Sequence, residues 1–128
     1  MKVIDTANAP AAIGPYSQAI SANGFIFTSG QIPVDPATGN IDAVGIQAQT
    51  EQTIKNLAAV LEAAGSGLAD VVKTTCYLKD MGDFALFNNI YSRYFALRPA
   101  RSCVESPDLP KGALVEIEAV ALIGRQDA

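Results

Sequence analysis

Arg101, Glu116 and Cys103 are the side chains whose type and setting could do chemistry. Arg101 stands between Ala100 and Ser102, in a short run that reads as a strand. A guanidinium held in a sheet calls for a planar anion, either a bound ligand or a neighbouring Glu105, Glu116 or Glu118. Glu116 falls on a partly apolar strand face, where lost hydration would raise its pKa toward the range that suits a general acid or base. An ion pair at an interface between copies explains it equally well. Cys103 has no histidine to form its thiolate. Arg101 could lower its pKa, but a buried cysteine serving as a small apolar residue is the simpler reading. Tyr16 follows Gly14-Pro15, so a rigid turn sets its ring either as a hydroxyl donor in a cleft or as a core aromatic. Ser29, before Gly30, could orient a ligand or cap a turn. Asn88, in an aromatic-rich helix, either meets a ligand or faces solvent.

What is missing narrows the chemistry. The 128 residues contain no His, which removes Ser-His-Asp and Cys-His mechanisms and His-ligated metal sites. No phosphate loop or metal-cage motif is present. Carboxylates, Arg, Tyr, Ser, Cys and backbone groups remain. The net charge is −4, and the nine Lys and Arg are dispersed. That argues against nucleic acid, whose binders carry a basic face. No apolar run approaches the roughly 20 residues of a membrane span. Asp5, Pro10 and Gly14 break any signal-peptide pattern. The expectation is a cytoplasmic chain in which Cys76 and Cys103 are free thiols. A chain that is 49% hydrophobic and 17% charged folds rather than stays disordered, and its length predicts one domain over residues 1–128.

The elements that must position these residues read as β-β-β-α-β-α-β-β, an α+β pattern with two helices on one sheet. Val3-Ile4 opens the sheet. Asn23-Gly24 between Ser17–Ala22 and Phe25–Ser29 is a hairpin signal. The stripe Ile46, Ile54, Leu57, Leu61 and Ala64 predicts a helix over 46–64, stopped by Gly65. Val71–Lys79 reads as a strand, rich in Val and Thr. A second helix runs from Asp83, its expected N-cap, to Ala96, with Pro99 beyond it. Strands follow at Arg101–Glu105 and Ala113–Ile123.

In the last strand, Val115, Ile117, Ala119, Ala121 and Ile123 share one face, which must meet the helices. Leu114, Glu116, Glu118, Val120 and Leu122 share the other. That second face is too apolar for water, so a partner subunit is expected to cover it. If the preceding strand turns the same way, Arg101 and Cys103 lie on the face of Glu116. The inference rests on parity alone, and a one-residue slip reverses it.

Gly14-Pro15-Tyr16-Ser17-Gln18-Ala19, Thr28-Ser29-Gly30-Gln31-Ile32-Pro33, Pro99-Ala100-Arg101-Ser102-Cys103-Val104-Glu105 and Glu116-Ile117-Glu118-Ala119 occur in that order. They resemble blocks of the Rid (YjgF) family, nearly end to end. The resemblance is closest to its RidA branch, whose members hydrolyse 2-imino acids such as 2-iminobutanoate and 2-iminopropanoate to 2-oxo acids and ammonia. It implies a chorismate-mutase-like fold, a mixed six-stranded sheet with two helices on one face. It also implies a homotrimer with clefts between subunits, small-molecule 2-imino and 2-oxo acid ligands, and no cofactor. Arg101 then matches the carboxylate-binding residue, and Glu116 the residue that positions or activates water. Cys103 matches a lining position, with Tyr16, Ser29 and Asn88 completing the pocket. The chain departs from the family in a short stretch after Phe95, where Arg98 takes an often apolar position. Two other functions stand beside the deaminase: a ribonuclease or translation inhibitor, and a non-enzymatic trimer that binds 2-oxo acids.

Overall fold

A computed structural model describes residues 1–124 of the chain. The elements are β1 (Lys2–Ile4), β2 (Ala19–Ala22), β3 (Phe25–Thr28), α1 (Ile46–Ala63), β4 (Val71–Leu78), α2 (Phe84–Tyr94), β5 (Ala100–Glu105) and β6 (Val115–Leu122). The strands form one six-stranded sheet in the order β1-β2-β3-β6-β4-β5. Every pair is antiparallel except β4–β5, which α2 connects as a crossover. The mixed sheet with two helices agrees with the element order read from the sequence. None of the described helices is long and apolar enough to cross a membrane.

Local chemistry sets the boundaries. Asn23 (φ 52°) and Gly24 (φ 81°) both take positive φ, so the β2–β3 hairpin turns as the Asn-Gly pair predicts. Helix α1 stops at Gly65 (φ 80°), where Gly65 N–H bonds Glu62 O and Ser66 N–H bonds Leu61 O. These two bonds make a Schellman cap. Helix α2 differs from expectation at both ends. Asp83 precedes its first turn, but its side chain makes no capping bond. Instead Asp80 accepts the Gly82 N–H in the 3-10 turn just before. The helix ends at Tyr94, because Arg98 N–H turns back to Phe95 O ahead of Pro99.

Both helices pack on one face of the sheet. Val115, Ile117, Ala119 and Ala121 of β6 are buried there, beside Ile26 of β3 and Thr74, Cys76 and Leu78 of β4. Ile123 was expected to continue this row, but it lies past the strand end and is exposed. Phe87, Ile90 and Tyr91 from α2 join Ile54, Leu57, Val60 and Leu61 from α1 in the same core. Among the described residues no helix covers the other face. It presents Phe25, Phe27, Leu122 and Val104, all at least partly in solvent, with Glu116 and Glu118 among them.

Buried amides fasten the loops that flank the sheet. Gln18 accepts the Thr6 N–H at 2.7 Å and donates to Thr6 O and Pro10 O, fixing the N-terminal loop. Asn56 on α1 donates to Ile32 O and Val34 O at 2.9 and 2.8 Å. Gln49 bonds Ala43 O and the Leu114 N–H. These loops have no ladder partners, so buried side-chain amides satisfy their backbone groups.

Candidate functional site

Arg101 lies on β5, the edge strand, and is exposed. The register fixes which way it points. Thr74 pairs with Arg101 on one side and Ala119 on the other, and Cys76 likewise sits between Cys103 and Ile117. Arg101 and Cys103 therefore share the helix-bearing face. Glu116 pairs with Tyr77 on the opposite face. The parity inference from sequence is thus overturned. Strand β4 lies between β5 and β6, and its pairing with β5 aligns Cys103 with buried Ile117 rather than with Glu116 or Glu118. An ion pair of Arg101 with Glu105, Glu116 or Glu118 is also absent among the described residues. The ion pair found there is the exposed Lys55–Glu51, at 3.8 Å.

Helix α2 orients the guanidinium. Phe84, Asn88 and Tyr91 follow at four- and three-residue steps, so they stack on one helix face. Arg101 Nη1 donates to Asn88 Oδ1 at 2.8 Å. Its Cζ lies 4.8 Å from the Tyr91 ring centroid and 5.4 Å from that of Phe84. This aromatic bed and one hydrogen bond hold the cation while the rest of its donor fork stays open. Tyr91 in turn is locked by a 2.7 Å hydrogen bond between its hydroxyl and Thr74 Oγ1. Burial raises the Tyr91 pKa, against the Thr74 bond. A cavity of about 450 Å³ opens beside Arg101, lined also by Asn88, Tyr91, Ser92, Phe95, Arg98 and Pro99.

The two cysteines lie opposite each other under this edge as free thiols. Burial pushes Cys76 up to about 12. Burial also raises Cys103, and the opposing pull of Arg101 is the smaller effect. Cys103 is a poor thiolate here, which fits a packing role.

A second group of residues gathers on the open face. Glu116 is half-buried, and its carboxylate lies against the backbone of Gly30, where any Cβ would overlap it. Loss of hydration, and then the negative charge of Glu118, raise the Glu116 pKa. Glu118 accepts the Tyr77 hydroxyl at 2.8 Å. The 29–31 segment is held by paired bonds between Gln31 and Ile117 backbones and by Ser29 Oγ donating to Ser17 O at 2.6 Å. Tyr16 stands apart from both groups. It is 53% exposed, and its hydroxyl accepts the Ile13 N–H at 3.3 Å in a groove beside Pro10, Val34 and Lys111.

The profile of the endoribonuclease L-PSP family matches residues 6–123. The chain belongs to the YjgF/L-PSP family. A RutC family protein of Synechocystis is 57% identical over 126 residues, spanning 96% of this chain and 97% of that one. The 2-iminobutanoate/2-iminopropanoate deaminase of Salmonella typhimurium is 50% identical over 125 residues, with 94% and 97% covered. The crystal structure of the Escherichia coli YjgF gene product superposes with a TM-score of 0.90 at 48% identity, over 95% and 98% of the two chains.

Within this YjgF-family chain, the six sequence-derived candidates fall into three places. Arg101, Asn88 and Cys103 come together at the β5 edge. Glu116 and Ser29 sit on the open face, and Tyr16 lies in the N-terminal groove. Sequence reasoning missed Tyr91 and Phe84 as the bed for Arg101, although their spacing from Asn88 carried the signal. It also missed Gly30 as the seat of the Glu116 carboxylate, for which one sequence holds no signal.

Proposed function

We propose that this protein hydrolyses 2-imino acids to 2-oxo acids and ammonia, with 2-iminobutanoate and 2-iminopropanoate as substrates. The observation that carries the reading is the Arg101 guanidinium, oriented by Asn88, Tyr91 and Phe84 yet free of any carboxylate among the described residues. Such a fork fits a substrate carboxylate bidentately and fixes the orientation of the adjacent imine carbon. The 50% identity to a named deaminase supports the same reading.

Glu116 supplies the acid–base step. A water oxygen adds to the imine carbon as Glu116 takes one of its protons. The iminium form of the substrate thereby gives a neutral carbinolamine, to whose nitrogen Glu116 returns the proton; the C–N bond then breaks, ammonia leaves, and the hydroxyl proton passes to Glu116 as the carbonyl forms. Lost hydration raises the Glu116 pKa, so its carboxylate accepts a proton more readily than an ordinary carboxylate and can hand the same proton back.

Arg101 and Glu116 of one copy cannot serve one small substrate. They lie on opposite sheet faces, about 10 Å apart along the strands and about 10 Å across them by ordinary strand geometry. The site therefore needs the Arg101 edge of one copy beside the Glu116 face of another. The exposed Phe25, Phe27 and Val104 give the open face a reason to be covered. A homotrimer meets both needs.

A coupled assay tests the activity. A threonine dehydratase generates 2-iminobutanoate, and formation of 2-oxobutanoate is followed with and without the protein. Acceleration over spontaneous hydrolysis is expected. Arg101→Ala should lose it, because a charge-assisted contact is worth about 1.5–3 kcal/mol and lost orientation adds to that. Wild-type rates in a folded Arg101→Ala protein would refute the mechanism. The family description names an endoribonuclease, so the same preparations are assayed on RNA. Cleavage that a cleft substitution abolishes would favour that activity instead.

A further inference from the structure

The cavity beside Arg101 has a second arginine in its lining. Arg98 borders the same space of about 450 Å³, together with Asn88 and Ser92. Among the described residues no acidic side chain lines it, although the chain carries 13 Asp and Glu against nine Lys and Arg. Two of the four Arg residues thus line one cavity of an acidic protein. Neither has a carboxylate within ion-pair distance among the described residues. Like charges lining one cavity repel, and a dianion relieves that repulsion better than a monoanion.

The backbone adds a separate observation. Arg98 has φ 56°, in the left-handed region that glycine occupies at least cost. It closes the turn after α2, with its N–H on Phe95 O, just before Pro99. A strained position that holds a long cationic side chain rather than glycine is the kind of outlier that points to a functional contact.

We propose that Arg98 is a second carboxylate-binding residue, so that the site prefers 2-imino dicarboxylates, such as 2-iminosuccinate and 2-iminoglutarate, to 2-imino monocarboxylates. The α-carboxylate pairs with Arg101 and the distal carboxylate reaches Arg98. Asn88 and Ser92 supply further polar contact between them. The proposal rests on the deaminase reading for turnover, but not for binding.

Two measurements test it. In the first, 2-iminosuccinate is generated from aspartate by an aspartate oxidase and 2-iminobutanoate by a threonine dehydratase. The ratio of kcat/KM for the two imines is then compared between wild type and Arg98→Gln. The ratio should fall about tenfold or more in the variant, the equivalent of ~1.4 kcal/mol, and Arg98→Lys should restore part of it. The second measurement needs no turnover. By calorimetry, the wild type should bind 2-oxoglutarate about tenfold tighter than 2-oxobutanoate, and Arg98→Gln should erase the difference. An unchanged ratio, or equal binding of the two oxo acids by the wild type, overturns the role of Arg98. If neither imine is hydrolysed yet the binding difference stands and depends on Arg98, the deaminase reading fails and the dicarboxylate site remains. Arg98 is exposed, so its substitution leaves the core intact.

Discussion

Two inactive variants should make an active protein when mixed. Arg101→Ala lacks the carboxylate fork and Glu116→Gln lacks the proton acceptor. In the proposed mechanism each side chain is needed once per site, and the register of β4 with β5 and β6 puts the two on opposite faces of one sheet. A site built between copies takes Arg101 from one and Glu116 from its neighbour. In a random mixture of equal parts, half the copies offer an intact Arg101 and half an intact Glu116. About one quarter of the sites should then regain both, whatever the size of a closed ring. The assay is dehydratase-coupled formation of 2-oxobutanoate after the tagged variants are unfolded together and refolded. Mass spectrometry of the intact assemblies shows whether they have mixed. Activity near a quarter of wild type is expected. Mixed assemblies with no activity above the two parents would refute the shared site, since a site contained in one copy can never combine the two intact residues.

Three further outcomes follow from the geometry. Because the Glu116 pKa is raised, its carboxylate is lost to protonation at a higher pH than an ordinary carboxylate, so kcat/KM should begin to fall earlier on the acid side. Glu118→Gln removes the second cause of the shift and should move that limb to lower pH; an unmoved limb in the pH–rate profile would mean another group is titrating. Gly30→Ala puts a methyl where the Glu116 carboxylate lies, so activity should drop well beyond any change in melting temperature, and a fully active variant would contradict the assigned water-activating position. Asn56→Ala strands the buried Val34 carbonyl and the part-buried Ile32 carbonyl; at about 1–3 kcal/mol for the first and less for the second, urea unfolding should show a loss of roughly 1–4 kcal/mol.

The parts of this molecule that depend on near neighbours could be read without coordinates. Asn23-Gly24 turns the hairpin because two adjacent residues set its geometry. Gly65 ends α1 through bonds that reach only three to five residues back. In β6 the alternation of Val115, Ile117 and Ala119 with Glu116 and Glu118 gives the strand an unmistakable inner face. Strand β5 has no such sign. Arg101, Cys103 and Glu105 are set against Ser102 and Val104, so both faces are mixed and every residue but Cys103 is exposed. Its orientation comes from a parallel pairing with β4, more than 20 residues earlier in the chain. One slip in such a pairing exchanges the faces, and that is how Arg101 and Glu116 were brought together on paper and separated in space.

The amide fastenings of the loops have a consequence for any titration of this protein. Gln18, Gln49 and Asn56 carry no charge at any pH, and the chain has no imidazole to gain one. The ion pair among the described residues, Lys55–Glu51, is solvent-exposed and contributes little. These amide fastenings are therefore chemically deaf to protons, while the Glu116 carboxylate resting on the 29–31 segment is not. Under the proposed mechanism a change of rate with pH does not arise from these fastenings, and moderate salt, which weakens surface charge pairs, should leave them equally undisturbed.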